Sequence, residues 1–134
     1  MLKQRFNIPI SIDFAVLILR VIPSLFLMTH GWDKLANLLH GDWSFADPIG
    51  LGEPISLVLT IFAEFVCSIL VILGLFTRPA LIILMVLMTI IIFIVHGADP
   101  IGDKEHPALY LAIYATIFIT GPGRMSVDNR IFSA

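Results

Sequence analysis

Apolar residues run along this chain in four long blocks, separated by short polar stretches rich in glycine and proline. A spanning helix needs roughly 20 predominantly apolar residues, and these blocks approach that length. The pattern predicts an all-α fold, an integral membrane four-helix bundle. Its spans cover about residues 14–31, 55–76, 80–96 and 105–121, within a single domain of residues 1–134. The fourth block is short for a crossing, so it is expected to borrow residues 105–107 and the glycine turn that follows it.

Local signals mark the ends of the blocks. Pro54 suits a helix start, where its missing N–H costs little. Gly74 and the run Thr77-Arg78-Pro79 make a tight break, with Thr77 expected to cap the third helix and Pro79 to sit in its first turn. Pro107 is expected in the first turn of the fourth helix, which Gly121-Pro122-Gly123 then ends. Pro23 lies inside the first span. It deprives the Leu19 carbonyl of its donor and is expected to kink the helix beside Arg20.

Charge orients the spans. Lys3, Arg5, Arg78, Arg124 and Arg130 fall on one side, whereas the other side has Lys34 and Lys104 among many acidic residues. The positive-inside rule then puts both termini in the cytoplasm. The outer, periplasmic-side loop of residues 32–54 contains Trp32, Trp43 and Phe45, and is expected to rest as a lid on the helix ends. The positive start followed by an apolar run resembles a secretory signal. Arg20 interrupts that run and no small-x-small cleavage site follows, so an uncleaved first span is expected.

Composition agrees. The 134 residues are 58% hydrophobic and 13% charged, with a mean hydropathy of +0.98. A soluble domain carries about 25% charged residues, so lipid must cover much of this surface. The net charge of −2 argues against a nucleic-acid partner. The single cysteine, Cys67, excludes Cys-x-x-Cys redox chemistry and reads as a small buried hydrophobe.

Two charges break the apolar blocks, Arg20 and Glu64. Each costs about 2.5–3.5 kcal/mol at the bilayer centre unless it is compensated. Counting helical rise puts them within reach of one another, so an Arg20–Glu64 ion pair is expected. Two uses stay open: a bridge that fixes helix packing, or a polar pocket for a quinone carbonyl, an anion or a proton path. Tyr110 and Tyr114, one turn apart, would add hydroxyls to it. A second group, His30, Lys34, His96, Glu105 and His106, gathers at the outer ends of the spans, with His40 between them. Imidazole with carboxylate suits a transition metal, but no familiar ligand spacing is present, so no metal is assigned. Haem on His30 and His96 has no further support. At the cytoplasmic side, Asp128 is expected to fold back to Arg78 or Arg124 and lock the C-terminus to the bundle.

Several of these pieces occur together in a known order: Arg20, Gly31-Trp-Asp-Lys34-Leu35, Glu64, Gly74-Leu-Phe-Thr-Arg78, Glu105 and Gly121-Pro-Gly-Arg-Met-Ser-Val-Asp128. In this the chain resembles the DoxX family of small bacterial membrane proteins, over nearly its whole length. The resemblance implies a four-helix protein of the bacterial inner membrane with Arg20, Lys34, Glu64 and Arg78 as shared polar residues. The family name comes from a subunit linked to thiosulfate:quinone oxidoreductase activity. Other members are associated with oxidative-stress complexes, and relatives in the wider superfamily assist the maturation of other proteins. An accessory subunit of a redox or quinone-linked system is therefore expected, in contact with lipid and with a membrane protein partner or further copies of itself. If the chain is itself an enzyme, the resemblance implies a quinone-linked oxidoreductase subunit. A non-enzymatic assembly partner and a small-molecule or proton transporter are the alternatives.

Overall fold

The computed structural model describes residues 9–41 and 50–132, and every regular element among them is a helix. Helix α1 is Pro9–Leu39. Helix α2 (Glu53–Ile61) passes through a π-helical stretch, Phe62–Cys67, into α3 (Ser68–Leu73). Helix α4 (Thr77–Ile90) ends in a second π-helical stretch, Ile91–Val95. Helix α5 is Ile101–Thr120, and the short α6, Val127–Phe132, follows. Three rods are long and apolar enough to cross a membrane: Ile12–Leu39, Pro54–Leu73 and Thr77–Val95.

The distribution of side chains suits lipid. Phe26, Phe93 and Ile119 are well over half exposed, whereas Arg20, Ser24, Glu64 and Ser68 are buried. A water-soluble chain would have to cover the first group; in a bilayer that face needs no cover. The core is built from Leu27, Cys67, Val71, Leu81, Leu84 and Ile117 with their neighbours. Helix α1 packs along the first π-helical stretch and α3, α4 packs on α5 and on the same π-helical stretch, and α5 returns to α1.

Several boundaries differ from the sequence expectation. Helix α1 continues through residues 32–39, where a loop lid was expected. Apolar length limits a crossing but does not end a helix: α1 tolerates Pro23 and Gly31 and stops just before Gly41, whose φ is 88°. Trp43 and Phe45 lie outside the described residues. Helix α5 begins at Ile101, so Pro107 stands inside it rather than in its first turn. The N-cap position of α4 is Phe76, not Thr77, whose buried hydroxyl has no partner among the described residues.

Candidate functional site

Along α1, Asp13, Val16, Arg20, Ser24, Leu27, Gly31 and Lys34 recur at steps of three or four residues. They therefore share one face. That face turns inwards, since Val16, Arg20, Ser24 and Leu27 are each 5% exposed or less. Leu57, Ile61, Glu64, Ser68 and Val71 form a matching stripe on the opposing rod. Each polar residue of the site projects from one of these stripes or from what packs on them.

Arg20 is 1% exposed. Among the described residues it has no carboxylate partner within ion-pair distance; it is held by backbone carbonyls. Its Nε donates to Val71 O at 3.0 Å and its Nη2 to Ile72 O at 2.8 Å. Its Nη1 donates to Pro122 O at 2.8 Å and Met125 O at 2.9 Å. Val71 and Ile72 lie in the last turn of α3, where carbonyls carry partial negative charge; Val71 O also accepts from the Gly74 N–H at 3.1 Å. The cation and the helix end satisfy each other, and the field of Asp128 adds to the balance. The expected Arg20–Glu64 pair does not form. Glu64 is seven residues from Val71, roughly 10 Å along a helix, so the two charges sit at different depths.

The segment after α5 completes the Arg20 clasp. Gly121 and Gly123 both have φ of 81°, and they turn the chain so that two of its carbonyls face Arg20. Gly74 receives it: a Cβ there would stand 2.4 Å from the Ser126 Cβ. The Asp128 N–H donates to Gly74 O at 2.8 Å, and its carboxylate accepts from the N–H groups of Phe76 and Thr77 at 2.7 and 2.8 Å. Asp128 thus caps α4 from across the fold. It also steadies Phe76, whose φ of 47° is left-handed. The C-terminal segment folds back as expected, but its carboxylate meets backbone rather than an arginine. Arg78 instead donates to Phe118 O at 3.3 Å and lies over the Phe118 ring, and Arg124 pairs with Asp13 at 3.5 Å. Asp128→Ala is expected to cost about 1–2 kcal/mol, the usual loss for a helix cap. Thermal unfolding in detergent would show this, and an unchanged midpoint would remove the cap from the account.

Near the other end of the site, Glu64 pairs with Lys34 (Nζ–Oε1 2.5 Å). Glu64 stands in the π-helical stretch, a geometry common at functional sites. Gly31 explains the close approach, because a Cβ there would lie 2.8 Å from Phe65 N and 2.9 Å from Glu64 C. Trp32 meets Phe65 with ring centroids 6.1 Å apart. The run from Gly31 to Lys34 is thus one contact: a gap, a ring and a charge set against residues 64–65. Gly31→Ala is expected to destabilise the protein by about 1–3 kcal/mol through overpacking. Unfolding in detergent tests it, and a neutral result would mean the helices do not cross there.

Between the two ends, Tyr110 and Tyr114 stack with centroids 6.1 Å apart, and the Tyr114 hydroxyl meets the Ser24 hydroxyl at 3.1 Å. Ser24 and Asp13 have no assigned role in the sequence reading. The stripe spacing held the signal for both, since Ser24 is four residues from Arg20 and Asp13 is seven. A Ser24→Ala/Tyr114→Phe double-mutant cycle in detergent is expected to show about 0.5–1.5 kcal/mol of coupling. Strict additivity would exclude the bond.

Members of the expected outer group have separate contacts. His96 Nδ1 lies 2.8 Å from Asp99 Oδ2, and Lys104 reaches Gly97 O at 3.3 Å. Lys34 turns to Glu64, while His30, His40, Glu105 and His106 are exposed. Among the described residues no three His, Cys, Asp or Glu side chains could hold a metal ion. An apolar groove of about 310 Å³ lies between α2 and α4 and is lined by Leu59, Thr60, Phe62, Ala63, Val86 and Leu87 among others. It does not include Arg20, Glu64 or the tyrosines. Four of the five N–H donors of the Arg20 guanidinium are taken by backbone carbonyls.

The DoxX family profile matches residues 15–97, which carry Arg20, Gly31, Lys34, Glu64 and Gly74. An uncharacterized protein of Haemophilus influenzae is 36% identical, the alignment covering 71% of this chain and 81% of that protein. No solved structure matches.

Proposed function

Because the chain belongs to the DoxX family, we propose that it is an accessory subunit of a redox or quinone-linked system in the bacterial inner membrane. In this reading α5 is a fourth crossing, the rods form a four-helix bundle, and both termini are cytoplasmic. Exposed Leu109 and Ile119 on α5 support the fourth crossing. The chain works by association, with a membrane protein partner or with copies of itself, and the partner supplies the quinone site. One observation carries this: the buried charges are committed internally, Arg20 to four carbonyls and Glu64 to Lys34. Groups so engaged hold helices together; they have few free donors for a reacting molecule.

The same commitment favours a second reading, a non-enzymatic partner that stabilises some other membrane protein. Purification of the full chain from its native membrane in mild detergent separates the two. A co-purifying quinone-linked enzyme is the expected result, and a partner with no redox chemistry supports the second reading. Quinone turnover by the isolated chain would overturn both. Reporter fusions test the orientation: a reporter working outside the cytoplasm at either terminus would overturn the proposed topology.

A further inference from the structure

We propose that the end of the bundle carrying the C-terminal segment holds a site for the phosphate of an anionic phospholipid, built around Arg78 and Arg124. A polar cavity of about 410 Å³ opens there, and Asp13, Arg78, Gly121, Gly123, Arg124 and Asp128 are among the residues that line it. Its depth is set by the rods. Asp13 is the second residue of the span Ile12–Leu39, and Arg78 is the second of Thr77–Val95. Both therefore stand where a crossing helix leaves the hydrocarbon and meets the headgroups. A ligand at this level is a lipid headgroup before it is anything dissolved in water.

The charges are unequally committed. Asp128 is engaged by the N–H groups of Phe76 and Thr77, and Asp13 by the backbone N–H and the Nε of Arg124. Arg78 uses its Nε on Phe118 O and its face on the Phe118 ring, and no carboxylate among the described residues lies within ion-pair distance of it. Its Nη2 points along the turn, 3.5 Å from where a Cβ on Gly121 would stand. Arg124 bonds Asp13 through Nε, and its Nη groups have no partner among the described residues, with its side chain 70% exposed. Two guanidinium ends are thus left beside a glycine turn whose missing side chains keep the cavity open. A planar donor fork suits phosphate oxygens. The stacked Phe118 ring fixes where the Arg78 fork stands, so the site is shaped before the lipid arrives.

The test uses full-length protein, with lipid binding read by native mass spectrometry and by thermal shift. Phosphatidylglycerol is the anionic probe, phosphatidylcholine the neutral one, and inorganic phosphate the soluble one. Each basic group near a membrane surface is worth about fivefold in affinity, so the intact protein is expected to prefer phosphatidylglycerol by at least that factor. Arg78→Gln is expected to remove most of the preference, whereas Arg130→Gln, outside the cavity lining, keeps it. Asp13→Asn frees the Arg124 guanidinium and is expected to raise the preference, which keeps the proposal open to failure if Arg78→Gln does not fold. Equal binding of the two lipids, an undiminished preference in Arg78→Gln, or a fall in Asp13→Asn would each overturn the site. Full competition by inorganic phosphate at low millimolar concentration would overturn the lipid as its occupant.

Discussion

Arg20→Met is expected to destabilise the protein by about 3–5 kcal/mol and to loosen the segment after α5. The substitution keeps the volume of the side chain but leaves the carbonyls of Ile72, Pro122 and Met125 without their guanidinium donors. Each orphan left buried costs about 1–3 kcal/mol. Arg20→Lys is not expected to rescue it, because one ammonium cannot serve carbonyls on two different elements as a planar fork does. Thermal unfolding in detergent gives the stability loss, and limited proteolysis gives the release of residues 121–132. Wild-type behaviour of Arg20→Lys would show that charge alone matters and that the four-carbonyl clasp is not the source of stability. An Arg20/Glu64 cycle is expected to be additive within about 0.5 kcal/mol, since the two residues share no partner.

The second large effect concerns the Lys34–Glu64 pair, and it is asymmetric. Lys34→Ala leaves a carboxylate that is 6% exposed without its cation. Breaking a buried pair costs about 3–5 kcal/mol, and the partial exposure of Lys34 places the expected loss near the lower end, about 3 kcal/mol. Glu64→Gln is expected to cost about 1 kcal/mol, because a Lys34 side chain that is 28% exposed can turn its ammonium to water. The double variant Lys34→Met/Glu64→Met removes both charges and is expected to be milder than Lys34→Ala. Chemical denaturation of the variants in one detergent compares them directly. Equal losses from the two single changes would mean that the carboxylate is not the buried member of the pair.

Much of this architecture was legible without coordinates. The apolar blocks marked the three rods that can cross a membrane, Gly74 marked the break before α4, and the glycine turn marked the end of α5. Burial of Arg20 and Glu64 was readable too, since a charge among apolar residues has to face inwards. Their partners were not. Counting rise along one helix gives depth only if the helix ends where its apolar block ends, and α1 continues to Leu39.

Partner choice came from the register between antiparallel rods, which the close approach at Gly31 sets. It hands Glu64 to Lys34 and leaves Arg20 level with the end of α3. A backbone carbonyl has no letter in the sequence, so a cation held entirely by carbonyls could not be read from composition or spacing. The same holds for the Asp128 cap, whose donors are backbone amides about fifty residues away. The order of amino acids determined which residues had to leave the lipid. Only the packing of the rods decided what each of them would meet, because hydrogen bonds are short and directional and hydrophobic burial is neither.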